Sequence, residues 1–218
     1  MKTLALIAAL VTATAAHADV EVNGKAVNAI TLFNGRDLAG WRLFLADGKS
    51  DPAAAKVSED GVLHLNSKLS GYFVTEKKYS NYHLHVEWRW PKDAVANSNS
   101  GVLVHLNSPD AVWPTCFECQ LKTGNAGQVV GMGLDIPAAP MVSNRKRAPR
   151  LADPSEKPLG EWNTYEIYCR GNTIEVFVNG VRQNEVKDLP VSEGGVALQL
   201  EGFPIDFRNV WLAPLKKG

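Results

Sequence analysis

The chain has 218 residues, with 23 Lys and Arg against 23 Asp and Glu and a formal charge of zero. That balance gives no electrostatic ground for nucleic acid or an anionic membrane as a partner. About 200 residues suit one domain with a large core. Three cysteines are too few for a disulfide framework, and Cys116 and Cys119 would stand about 10 Å apart on one strand, too far to bond each other.

Met1-Lys2-Thr3 precedes an apolar run from Leu4 to Ala16, and Ala16-His17-Ala18 has the small-x-small pattern that signal peptidase cleaves. The pattern predicts a signal peptide over residues 1–18 and a single mature domain over residues 19–218, periplasmic or secreted. The run is about 13 residues, too short to cross a hydrocarbon core about 30 Å thick, and no later stretch is apolar enough to span one. Loss of residues 1–18 removes one Lys and no acid, so 23 against 23 becomes 22 against 23.

Beyond that point β-branched and aromatic residues alternate with polar ones between Gly, Asn, Asp and Pro turns, and helical periodicity is weak. In chain order the predicted strands are Gly61–Leu65, Gly71–Thr75, Tyr82–Trp90, Ser100–Leu106, Thr115–Lys122, Asn163–Arg170, Thr173–Val178, Gly194–Leu200 and Phe207–Leu212. Arg170-Gly171-Asn172 and Val178-Asn179-Gly180-Val181 read as hairpin turns. Many short strands without helices predict an all-β sandwich of two antiparallel sheets. From Thr123 to Glu161 the chain is rich in Gly, Pro and Ala and is predicted to be a long covering loop, with Arg145-Lys146-Arg147 as a solvated tip rather than an anion site.

Side chains alternate across a strand, so each strand divides into two faces. Glu118, Gln120 and Lys122 oppose Phe117, Cys119 and Leu121. His83, His85, Glu87 and Arg89 oppose Leu84, Val86, Trp88 and Trp90. Leu103 and His105 oppose Val102, Val104 and Leu106, while Gln199 and Glu201 share a face with Ala197. Cys119 and Cys169 fall on apolar phases as small buried hydrophobes. Solvated outer faces would also give polar stripes, but these consist of carboxylates, amides, imidazoles and guanidinium groups with Trp113 and Phe203 nearby. Such groups suit the hydroxyls and apolar faces of a sugar.

Several motifs stand in order: Thr31-Leu32-Phe33-Asn34-Gly35-Arg36-Asp37-Leu38-Ala39-Gly40-Trp41, Glu59-Asp60-Gly61-Val62-Leu63, Tyr82 to Arg89, and Asn99-Ser100-Gly101-Val102. Phe117-Glu118-Cys119-Gln120, Gly160-Glu161-Trp162-Asn163, Val178-Asn179-Gly180, Leu198-Gln199-Leu200-Glu201-Gly202 and Phe207-Arg208-Asn209-Val210 follow. Together they resemble the 3-keto-disaccharide hydrolase domain family over nearly the whole mature chain. The resemblance implies a concanavalin-like jelly roll with its site on the concave sheet and cleavage of sugars already oxidised at C3. For parts of the family it also implies dependence on a divalent metal. The sequence departs from the family pattern at His105, where members often have Arg, and at Glu201, where many have His.

A ketone at C3 acidifies the C2–H, so a carboxylate can remove that proton and the enolate can expel the C1 substituent. Direct hydrolysis is the alternative route. Glu118 is the expected base, Gln120 holds substrate hydroxyls, and His105 is the proton donor or electrophilic partner. Lys122 or Arg89 would stabilise the enolate, with Asn99, Gln199 and Trp113 as further carbohydrate contacts. Glu201, with His105 and Glu118, is a candidate oxygen ligand for a divalent cation. A noncatalytic carbohydrate-binding module is the competing reading, and a structural or adhesive domain a third. Trp41, Asn34, Gly35, Trp162 and Arg208 are expected to serve turns and packing.

Overall fold

The computed structural model describes residues 17–22, 25–108 and 110–216. Residues 1–16 of the expected signal peptide lie outside the described residues; His17 and Ala18 begin the first strand. In chain order the strands are β1 (His17–Val22), β2 (Lys25–Thr31), β3 (Trp41–Leu45), β4 (Ala55–Val57), β5 (Leu63–Leu65) and β6 (Ser70–Thr75). Next come β7 (Tyr79–Ser80), β8 (Tyr82–Arg89), β9 (Gly101–Leu106), β10 (Cys116–Gln120), β11 (Val129–Met132) and β12 (Met141–Val142). The last are β13 (Arg145–Ala148), β14 (Asn163–Arg170), β15 (Thr173–Val178), β16 (Val181–Val186), β17 (Glu193–Glu201) and β18 (Ile205–Pro214).

Two sheets form, each of nine strands. The first runs β1-β2-β18-β8-β14-β15-β16, with β5 also on β18 and β4 on β5; the second runs β12-β13-β11-β10-β9-β17-β6-β3, with β7 on β17. Neighbours throughout pair antiparallel, so the expected all-β jelly-roll sandwich of two antiparallel sheets is what the chain forms.

The core follows from period-two alternation. Tyr82, Leu84, Val86 and Trp88 of β8 and Tyr165, Ile167 and Cys169 of β14 face Phe117, Cys119, Val102, Val104, Val196 and Leu198 of the second sheet, all in one buried cluster. Full burial of a large apolar side chain contributes roughly 1.5–3 kcal/mol, so the cluster fixes which face of each strand turns inward. All three cysteines are free and buried. The Tyr165 hydroxyl crosses the core to donate to the Gln120 carbonyl and accepts the Gly127 N–H at 2.6 Å, tying the first sheet to the end of β10.

The predicted loop from Thr123 to Glu161 contains β11, β12 and β13, which extend the second sheet beyond β10. These strands are two to four residues long, too short for alternation to declare itself. The rest of the segment is held by side chains that satisfy its backbone. Glu156 accepts the N–H groups of Gly124 and Ala126, and Asn184 donates to the carbonyls of Gly127, Ala148 and Pro149.

One strand departs from alternation. Leu106 pairs with Gly195 and Leu103 with Ala197, so β9 carries one extra residue there. His105 takes it up at φ 56, which turns its ring inward and Leu106 outward, as a β-bulge does. The bulge needs Gly194 opposite, because a Cβ there would lie 2.4 Å from the His105 carbonyl carbon.

Candidate active site on the outer face of the second sheet

Register across the second sheet aligns Arg147, Val130, Glu118, Leu103, Ala197, Val74 and Arg42 in one row. In the neighbouring row Gln120 pairs with Gly101, and Gln199 with Tyr72. All these side chains point away from the core. The connection over residues 107–115 closes one end of this face: Asp110 makes a two-point pair with Arg42 at 2.6 and 2.8 Å, and the Trp113 ring lies 4.8 Å from the Arg145 guanidinium. Tyr72, Val74, Leu103, Leu106, Cys116 and Met132 form a small buried apolar cluster on the same face.

The polar half of the face is centred on Gly101. A Cβ there would stand 2.9 Å from both the Gln199 Oε1 and the Glu118 Cγ, and 3.1 Å from the Glu118 Oε1. The missing side chain lets Glu118 and Gln199 close over the Gly101 backbone, in the space a Cβ would take. Both are buried, at 2% and 3% exposure. Glu118 Oε1, Gln199 Oε1 and Asn99 Oδ1 have no hydrogen-bond partner among the described residues. Three buried acceptors without donors are costly, and hydroxyl groups of a bound sugar would supply donors.

Burial pushes the Glu118 carboxyl up to about 7, with the Glu201 charge adding to the rise; Arg147, Arg145 and the Gln120 side chain pull the other way. Glu201 is also raised by burial, against the Asn99 amide that donates to it and the charges of Arg145, Arg147 and Lys122. Two carboxyls held above their usual range therefore sit within reach of three cations. An acid poised near neutral pH in such a place marks a candidate proton-transfer group.

The structure brings Glu118, Gln120, Gln199, Glu201, Asn99 and Lys122 to this face and places Trp113 at its rim. Gln120 differs from the expected substrate contact: its Oε1 accepts the N–H groups of Leu121 and Lys122 at 3.0 and 2.9 Å, so it shapes the strand end and steadies Glu118.

Two expected members are elsewhere. The bulge turns His105 into the core, edge-on to Tyr82 at 6.1 Å and Phe117 at 6.2 Å, where burial lowers its imidazole to about 4. A neutral imidazole so enclosed is no proton donor to the outer face. Arg89 belongs to the first sheet, whose outer face is on the opposite side of the sandwich, and its Nε donates to Asp206 at 2.8 Å. The whole β8 stripe is committed there. His83 and His85 share Glu166 at 2.5 and 2.7 Å, Arg208 and Asn209 take both oxygens of Glu87, and Arg89 and Arg208 lie 4.5 and 4.1 Å from the Trp162 ring. Burial opposes charge on His85, but Glu166 and Glu87 outweigh it and raise the imidazole to about 9.

Arg145-Lys146-Arg147, expected to be a solvated loop tip, instead lies in β13, whose i, i+2 spacing sends Arg145 and Arg147 to the Glu118 side. Lys146 points the other way, toward the Ala139 carbonyl at 3.0 Å and Asp135 at 3.6 Å. The expected divalent-cation site does not assemble. His105 is in the core, three cations face the remaining carboxylates, and among the described residues no group of three His, Cys, Asp or Glu side chains is placed to hold a metal ion.

The all-β sandwich thus carries a shielded pair of carboxyls, unpartnered amide oxygens and cations on one outer sheet face, and its family is one of carbohydrate chemistry. The chain belongs to the 3-keto-alpha-glucoside-1,2-lyase-like domain family, whose sequence profile matches residues 28–213. A comparison with curated protein sequences returns no match. Among solved structures, a Parabacteroides distasonis protein predicted to be a glycosyl hydrolase is 23% identical, with 85% of this chain and 93% of that chain covered and a TM-score of 0.62. The endo-beta-1,3-glucanase of Pyrococcus furiosus is 14% identical with a TM-score of 0.62, covering 91% and 98%. Carbohydrate binding module CBM66 of Bacillus subtilis is 9% identical with a TM-score of 0.56, covering 80% and 95%. At these identities the likeness is one of fold.

Proposed function

We propose that this protein is an exported glycoside-cleaving enzyme acting on 3-keto-glycosides, with Glu118 as the base that removes the C2 proton. The observation that supports it most is the buried Glu118 carboxyl, raised to about 7 beside the free Gln199 amide oxygen, the two packed together over Gly101. A base poised near neutral pH combines adequate basicity with a large ionised fraction. A binding module relies more on exposed aromatic platforms and does not require a carboxyl tuned near neutral pH.

In this reading the reacting ring lies over Glu118 and Gln199, with hydroxyls donating to Gln199 and Asn99. Glu118 takes the C2 proton, electrons move onto the C3 oxygen, and the Lys122 ammonium stabilises that enolate. Reformation of the C3 carbonyl breaks the C1–O bond and leaves a C1=C2 enone. Glu201, whose carboxyl burial holds above the usual carboxylate range, is the group that gives a proton to the departing oxygen. Water then adds hydroxyl to C1, and C2 regains a proton, so the net change is hydrolysis.

The reading is tested by incubating the purified protein with 3-keto-trehalose, 3-keto-sucrose and a 3-keto-aryl glucoside beside the unoxidised sugars. At least one keto sugar is expected to be cleaved and none of the unoxidised ones. Binding without cleavage of any keto sugar would favour a binding module. Equal cleavage of the unoxidised sugars would exclude C2 chemistry.

A further inference from the structure

We infer that the substrate's leaving group carries a carboxylate, which Arg145 and Arg147 recognise beside the reacting sugar. The inference rests on the proposed reading of Glu118 and concerns the part of the face that the reaction does not use.

Five arginines elsewhere on this protein are paired with carboxylates, while Arg36 is solvent-exposed and Arg150 donates to the Gly124 carbonyl. Arg42 meets Asp110, Arg89 meets Asp206, Arg170 and Arg182 meet Glu175, and Arg208 meets Glu87. Arg145 and Arg147 have no such carboxylate partner among the described residues. Arg145 has the Trp113 ring, and Arg147 has one long contact at 3.4 Å to Gln128 Oε1. Both are half-buried, so their charges are only partly hydrated. Glu118 and Glu201 feel the charge of both guanidinium groups but make no ion pair with either among the described residues.

The positions suit a group attached to the reacting ring. Arg147 stands two strands from Glu118 in the same row, with Val130 between them, and strands about 4.8 Å apart put the two backbones about 10 Å apart. That is about the width of one further ring. Val142, opposite Arg145 in β12, and Trp113 are exposed at 43% and 46% and border the guanidinium groups with apolar surface. A ring carrying a carboxylate would stack on that surface and present two oxygens to two forked donors, the geometry that guanidinium groups match best.

The test uses 3-keto-glucosides of 4-hydroxybenzoate and of its neutral isostere 4-hydroxybenzamide, with the phenyl sulfate and phenyl phosphate analogues as further arms. The carboxylate is expected to have a kcat/KM at least about tenfold above the carboxamide, expressed in KM and diminished by added salt. In the Arg145→Gln/Arg147→Gln double variant the ratio should fall to about one. Equal use of carboxylate and carboxamide by the wild type, or a preference that survives in the double variant, would overturn the inference. Sulfate or phosphate exceeding the carboxylate would also overturn it.

Calorimetry with the unoxidised 4-hydroxybenzoate glucoside separates this inference from the reading of the reaction. If no keto sugar is cleaved but carboxylate-dependent binding occurs and is lost in the double variant, the anion subsite stands and the reaction does not. Cleavage of both keto-glucosides at equal rates leaves the reaction standing and removes the subsite.

Discussion

Glu118→Gln is expected to lower kcat for a 3-keto-glycoside by about 10³-fold, within the range that general-base removal costs, with KM little changed because the amide keeps the size of the side chain. In the wild type kcat/KM should rise with pH and level off above about 7, where the raised carboxyl of Glu118 has ionised. Residual activity in the variant should lose that limb. A drop in kcat with the limb intact would assign the base to another group.

The same substitution carries an opposite expectation for stability. Glu118 holds its proton more tightly in the folded protein, at about 7, than the ordinary value of 4.5. Folding is therefore favoured below 4.5, and that contribution disappears as pH rises to about 7. Above 7 the buried carboxylate costs at most about 3 kcal/mol, which the neutral amide removes. Glu118→Gln should melt a few degrees higher than the wild type at pH 8 and at the same temperature near pH 4. Equal melting temperatures at both values would show that Glu118 is not desolvated, removing the reason to regard it as a tuned base. A catalytic group held at a cost in stability is a familiar trade.

The second large effect is expected at Gly101. In Gly101→Ala the new methyl group would stand 2.9 Å from Gln199 Oε1 and from Glu118 Cγ, so both side chains must move outward, toward the surface on which the sugar is to lie. Gln199 Oε1 ends a flexible side chain and Glu118 Cγ can move by a change of χ1, with no backbone in the way, so the fold should survive, with a melting temperature within a few degrees of the wild type. Activity should fall by about 10²-fold, the scale on which displacing a reacting group by about 1 Å acts. Unchanged kcat/KM in a folded Gly101→Ala protein would mean that the substrate does not use the floor formed by Glu118 and Gln199.

Much of this arrangement could be read from alternation alone. The inward faces of β8, β10, β14 and β15 follow from apolar residues two apart, and so does the common outward direction of Glu118, Gln120 and Lys122. What escaped depends on partners distant in sequence. His105 is turned by a bulge that closes only because Gly194 lies across from it on β17. Alternation within β8 is correct, yet it cannot say that β8 joins β14 and β18 while β10 joins β9 and β11. Arg89 and Glu118 therefore fall on opposite sides of the sandwich. Arg145 and Arg147 were hidden by a strand of four residues between Pro140 and Pro149. Glu201 was visible as a departure from the family pattern, but its role depends on Asn99 and Glu118 coming close to it across the sheet.

The claim that Glu118 removes a C2 proton is tested most directly by running the reaction in deuterium oxide and locating the label in the product at low conversion, against a blank without enzyme. Elimination followed by hydration should leave the product with one deuterium at C2, because solvent supplies the hydrogen that C2 regains. A product that keeps its original hydrogen at C2, together with no primary isotope effect on cleavage of the C2-deuterated substrate, would contradict the account and place the chemistry at C1 alone, since a buried Glu118 can also return the proton it took.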